Sequence, residues 1–154
     1  MIGTLQQVFR NEPCELFKLI PKDKIDKIFS ESNTASAELD YTFLGFEKVY
    51  KEVAMFIPKS KIIIDFGCAY AFQSWYFKDY EKYIGVDCST SIKDVLRTDN
   101  SQFFFMTIQE FIKEQFPKLG YKKEEVFAVC SYVPDEETRM MVKKYFPYCL
   151  VYYP

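Results

Sequence analysis

The run Lys61-Ile62-Ile63-Ile64-Asp65-Phe66-Gly67 limits the fold more than any other stretch of the chain. Three consecutive isoleucines are stiff at χ1 and suit a strand covered on both faces, as in a parallel sheet. A glycine directly behind such a strand lets the backbone turn sharply and lets a ligand approach it. Downstream the pattern repeats with helical spacers. Residues 82–86 predict a second strand ending at Asp87, 102–106 a third, 125–130 a fourth and 148–152 a fifth. Between them, 71–80, 89–97, 107–116 and 134–145 read as helices. Thr107 with Glu110 has capping-box spacing, and Asp135 to Glu137 place acids in a helix first turn. This alternation predicts an α/β fold: an open, mostly parallel five-stranded sheet with helices on both faces.

The first 60 residues read as a helical lead-in. Leu39, Phe43, Phe46, Tyr50, Val53 and Ile57 recur at steps of three and four, which puts them on one helix face. Ser36 is a candidate cap and Pro58 a stop. Residues 13–20 and 22–30 read as two short helices parted by Pro21, with 31–35 as a small polar joint. No internal repeat stands out. A chain of 154 residues suits one domain, with 1–60 as lead-in and 61–154 as core.

Composition excludes several chemistries. The chain has no histidine, which removes Ser-His-Asp and Cys-His nucleophile systems, histidine bases and His-containing metal sites; no metal is expected. The five cysteines, Cys14, Cys68, Cys88, Cys130 and Cys149, form no CxxC pair. Their odd number and the absence of a signal-type start predict reduced, mostly buried thiols in a cytoplasmic protein. Formal net charge is −2 and the cations are scattered, so no strong nucleic-acid grip is indicated. No apolar run approaches the roughly 20 residues of a membrane span. Neither G-x-G-x-x-G nor a P-loop pattern occurs.

In an open parallel sheet the ligand crevice lies at the carboxyl ends of the strands. The informative residues are therefore 65–71, 87–89, 106–108 and 130–133. Asp65-Phe66-Gly67-Cys68-Ala69-Tyr70-Ala71 after the first strand, with Asp87 closing the second, resembles class I S-adenosylmethionine-dependent methyltransferases. That family carries D-x-G-x-G-x-G at the first place and an acid at the second. The resemblance covers about residues 36–152 and implies a Rossmann-like sheet that binds S-adenosylmethionine. It implies that Gly67 and the backbone of Cys68 and Ala69 approach the amino acid part of the cofactor. Asp65 would orient that turn or the ammonium group, and Asp87 would hold the ribose diol. Thr107 and Ile108 stand where the family often has an acid near adenine. Cys130, followed by Ser131-Tyr132-Val133-Pro134, stands where it places residues near the transferred methyl.

Other readings stay open beside these. Asp65 and Asp87 also suit strand-end caps, Gly67 a tight turn, and Thr107 an N-cap. Ala69 and Ala71 replace two family glycines, and alanine does not readily take positive φ. The Asp-Pro-Pro-Tyr and Asn-Pro-Pro-Tyr patterns are absent. The family continues for two strands beyond the fifth, which makes 148–152 an edge suited to a homodimer or a partner protein. The alternative function is a catalytically inactive, methyltransferase-like binding or structural partner. No methyl acceptor and no catalytic base is assigned.

Overall fold

A computed structural model describes residues 16–24, 26, 46–89 and 95–153. The expected helix starts at Pro13 and Ser36, the joint at 31–35, Cys14 and most of the helix over 89–97 lie outside them. Within the described residues, α1 is Leu16–Leu19 and α2 is Phe46–Phe56. The strands are β1 (Ile62–Phe66), β2 (Lys82–Asp87), β3 (Ser101–Phe105), β4 (Val126–Ser131) and β5 (Cys149–Tyr152). A helix α3 covers 108–119, and α4 is Glu136–Tyr145.

The strands form one sheet in the order β3-β2-β1-β4-β5, and every ladder is parallel. This is the start of the Rossmann-like order, in which the strand sequence reverses between β1 and β4. All five β1 residues are buried, as a central parallel strand requires. Alternation along β1 sends Ile62, Ile64 and Phe66 to one face and Ile63 to the other. The first face packs against Phe111, Ile112 and Phe116 of α3 and Val142 of α4. The second packs against Tyr50 and Val53 of α2 and against Phe77 and Tyr80. Helical elements thus cover both faces.

Two elements depart from the expected α-helix. Over 71–80 the chain forms a six-residue 3-10 helix, Phe72–Phe77, entered through a left-handed Ala71. Aromatic residues there lower helix propensity, and Gln73 and Ser74 are drawn into the core by hydrogen bonds. The helix expected over 107–116 runs on to Leu119 through a π-turn at Phe111–Gln115. Pro117 lies just past that turn; proline lacks the N–H for an i−4 bond and clashes with that carbonyl, and the wider turn relieves both. Residues 95–98 carry no regular structure. The other strand boundaries differ from expectation by about one residue, within ordinary end fraying. No helix among the described residues is long and apolar enough to cross a membrane.

Candidate functional site

β1 hands its carboxyl end to a tight backbone turn. Gly67 N–H donates to the Val86 carbonyl of β2 at 2.8 Å, and Cys68 N–H reaches the same oxygen at 3.3 Å. The turn then closes when Ala71 N–H donates to the Cys68 carbonyl at 2.8 Å. Gly67, Ala69 and Ala71 all hold positive φ, at 81°, 50° and 56°. The left-handed conformation costs a non-glycine residue roughly 1–2 kcal/mol. Ala69 and Ala71 thus hold backbone conformations that glycine adopts without strain. The helix start expected at Ala71 is therefore corrected to a left-handed residue. Ala69 is exposed, so its methyl packs on little, and Ala69→Gly is expected to raise stability by ~0.5–1 kcal/mol, read by urea denaturation.

Asp87 ends β2 and fastens this turn. Its Oδ2 accepts from Ala69 N–H at 2.8 Å, and its Oδ1 accepts from Ser89 N–H at 2.7 Å. A carboxylate offers about four lone-pair sites, so each oxygen keeps capacity for a further donor. Asp87 is half-buried, and Cys88 and Ser89 beyond it are exposed. β3 continues this rim, with Met106 N–H donating to the Asp87 carbonyl at 3.2 Å and Phe105 57% exposed beside it.

Asp65 occupies a different environment. It is fully buried, and its carboxylate accepts from Tyr50 (2.8 Å to Oδ1), from Gln73 Nε2 (2.7 Å to Oδ2) and from the Tyr83 hydroxyl. Burial pushes its carboxyl up from 3.8 to about 6; the bonds from Tyr83, Gln73 and Tyr50 work against this, and the nearby Asp87 charge adds to it. The structure thus places Asp65 beneath the turn with its oxygens engaged by the protein.

The other expected site residues divide. Cys68 is buried with its Sγ toward Gly85, and burial holds its thiol well above the usual range. Thr107 caps α3, its Oγ1 accepting from Glu110 N–H at 3.1 Å. Ile108 and Cys130 have their side chains in the cluster under α3 and α4, on the sheet face opposite Asp65. Burial pushes the Cys130 thiol up to about 12, so it is no nucleophile at neutral pH. Cys88 departs from the expected burial and is exposed. The structure therefore brings together Gly67, Cys68, Ala69 and Asp87, with Thr107 at the adjoining rim, and directs Asp65, Ile108 and Cys130 inward.

Three further features lie at this end of the sheet. The Ser131 hydroxyl is buried and has no protein partner among the described residues. Tyr132 follows with φ 62°, its ring 4.0 Å from that of Phe46 and 5.3 Å from that of Tyr152. Arg139 of α4 donates to the carbonyls of Val133 and Pro134, which fixes the segment after β4. Sequence reasoning missed Tyr50, Gln73 and Tyr83 as partners of Asp65; a lone glutamine inside an aromatic stretch was the available signal for Gln73. At the opposite, amino end a cavity of about 310 Å³ is lined by Ser60, Ile62, Glu81, Lys82, Tyr121 and Glu125. Among the described residues no group of three Cys, Asp or Glu is placed to hold a metal ion.

No protein-family model matches the chain. No curated protein matches it either. Among solved structures the chain is similar to the plantazolicin methyltransferase BamL, in complex with a triazolic desmethylPZN analog and SAH, at 11% identity and TM-score 0.47. That match covers 94% of this chain and 55% of BamL. It is similar to the plantazolicin methyltransferase BpumL in complex with SAH at 17% identity and TM-score 0.45, covering 97% of this chain and 56% of BpumL. The chain spans about half the length of these two proteins.

Proposed function

We propose that this chain is an S-adenosylmethionine-dependent methyltransferase that holds its cofactor at the carboxyl ends of β1 and β2. The observation that carries this reading is the joint between Asp87 and the left-handed turn: a half-buried carboxylate fastened to Ala69 N–H at the mouth of the sheet. The residues present fit such a group. A Cβ on Gly67 would lie 3.3 Å from Val133 Cγ2, so the glycine lets the turn pack closely against the segment after β4. Asp87 has acceptor capacity left for a ribose diol, and bonds to an ionised acceptor are the stronger class. Ser131, on the neighbouring strand, offers a hydroxyl with no protein partner among the described residues. When bound, S-adenosylmethionine would supply an activated methyl group. This chain's residues would bind and orient: Gly67, Cys68 and Ala69 through backbone, Asp87 through its carboxylate, Thr107 at the rim. Positioning of this kind supplies much of the barrier reduction in a two-reactant displacement and needs no histidine.

Calorimetry with S-adenosylmethionine and S-adenosylhomocysteine tests the proposal. Wild type is expected to bind both, and Asp87→Ala to bind at least ~10-fold more weakly, the scale of a lost charged hydrogen bond. No heat of binding with ligand at ~1 mM would overturn it.

A second reading, a methyltransferase-like binding partner without catalysis, is favoured by the alanine methyl at the exposed mouth position Ala69. Its partner face would be the β5 edge, where Tyr148, Tyr152 and Tyr153 are exposed and a homodimer or partner strand would pair. Methyl transfer to any acceptor in a cell extract would count against it.

A further inference from the structure

Two alanines in the left-handed region persist only if their surroundings over-determine them. At the mouth, Asp87 supplies one restraint through Ala69 N–H. A second lies beneath the turn. Gln73 Nε2 sits 2.7 Å from Asp65 Oδ2 and 3.0 Å from the Cys68 carbonyl oxygen. That same carbonyl accepts the Ala71 N–H that closes the turn. Asp65 is in turn clamped from α2 by Tyr50 and from β2 by Tyr83. One amide therefore joins a carboxylate fixed by three elements to the carbonyl on which the turn is built. Gln73 itself is 2% exposed, so these bonds are shielded from competing water.

We infer that Gln73 is a positioning residue: by bridging the Asp65 carboxylate and the Cys68 carbonyl it sets the left-handed turn that presents Gly67 and Ala69 to a ligand. Asp65 then acts through Gln73 and touches no ligand itself. The nature of that ligand rests on the reading above; the bridge does not. A protein with glycines at 69 and 71 would need less restraint, because glycine takes positive φ without strain.

The test is amide hydrogen exchange by NMR on the full chain, with S-adenosylhomocysteine calorimetry alongside. Gln73→Met keeps the side-chain bulk and removes both bonds. It is expected to speed exchange at Ala71 and Ala69 by ~10-fold or more relative to Val129 in β4, because a local opening replaces a restrained turn. Asp65→Asn is expected to rescue: its Oδ1 still accepts from Gln73 and Tyr83 while its amide donates to the Tyr50 oxygen, so the turn amides stay protected. Gln73→Asn, one methylene short of spanning both partners, is expected to behave as Gln73→Met does, and serves if the latter fails to fold. Affinity for S-adenosylhomocysteine is expected to fall ~10-fold or more in Gln73→Met and little in Asp65→Asn. Unchanged exchange at Ala71 in both Gln73 variants overturns the inference, as does loss of protection in Asp65→Asn equal to that in Gln73→Met. If the exchange pattern follows and no form binds the ligand, the positioning role stands and the cofactor reading falls.

Discussion

Asp65→Ala is expected to destabilise the chain by ~3–5 kcal/mol at about pH 5, read by urea denaturation. The reason is the number of donors it strands. Tyr50, Gln73 and Tyr83 all hydrogen-bond to this carboxyl group, and each is at most 2% exposed. A buried donor left without an acceptor costs ~1–3 kcal/mol, and three are affected together. A loss below ~1 kcal/mol would mean that water reaches the donors and that the carboxylate is no hub. The effect also carries a pH signature. Burial pushes this carboxyl from 3.8 to about 6, so the folded chain holds the proton more firmly than the unfolded one. The stabilisation from that proton is complete below 3.8 and is lost as pH rises through about 6. The span corresponds to ~3 kcal/mol. In Asp65→Asn the position does not titrate, so its stability relative to wild type is expected to improve by ~2 kcal/mol between about pH 4 and about pH 8. A difference that stays flat with pH would contradict the burial of an ionisable Asp65.

Gly85→Ala is the second large effect. Gly85 lies in the middle of β2, paired with Asp65 on one side and Phe103 on the other. A Cβ there would come within 2.6 Å of the Phe103 ring and 2.8 Å of Cys68 Sγ. Real Cβ atoms do not approach so closely, so either the ring or the cysteine must move. Overpacking of this kind costs ~1–3 kcal/mol. Because Cys68 belongs to the turn, the displacement is expected to reach Ala69 and Asp87 as well. Gly85→Ala should therefore weaken ligand binding along with stability, which distinguishes it from an overpacked site on the α3 face. Thermal unfolding and calorimetry on the same preparation read both; a stable variant with a raised Tm would show that the space is not filled as described.

The sheet was legible because its strands are chemically loud. Ile62 to Ile64, Tyr83 to Val86 and Val126 to Cys130 read as strands, and their parallel direction, though not their order, followed from the helices between them. The mouth residues Gly67 and Asp87 were legible for the same reason: each stands one position past a strand, or ends it. Two things were hidden. Alanine gives no hint of positive φ, since its intrinsic preference runs the other way; at Ala69 and Ala71 the tertiary frame overrides that preference. The role of Asp65 was equally hidden. Its partners lie 15, 8 and 18 residues away on three different elements, and no local pattern links them. Strand alternation places Asp65 on the α2 face, yet only the packed structure shows that two tyrosines and a glutamine close over it.

The proposed function requires this sheet to bind a nucleoside methyl donor or its product at the carboxyl ends of β1 and β2. An NMR titration of the isotope-labelled chain with S-adenosylhomocysteine tests it most directly. Saturable shifts are expected, centred on the amides of Gly67, Ala69, Asp87 and Ser89, with Thr107 at the periphery. Shifts confined to Glu81, Lys82, Tyr121 and Glu125, around the cavity at the amino ends of the strands, would contradict it, and so would a spectrum that the ligand leaves unchanged.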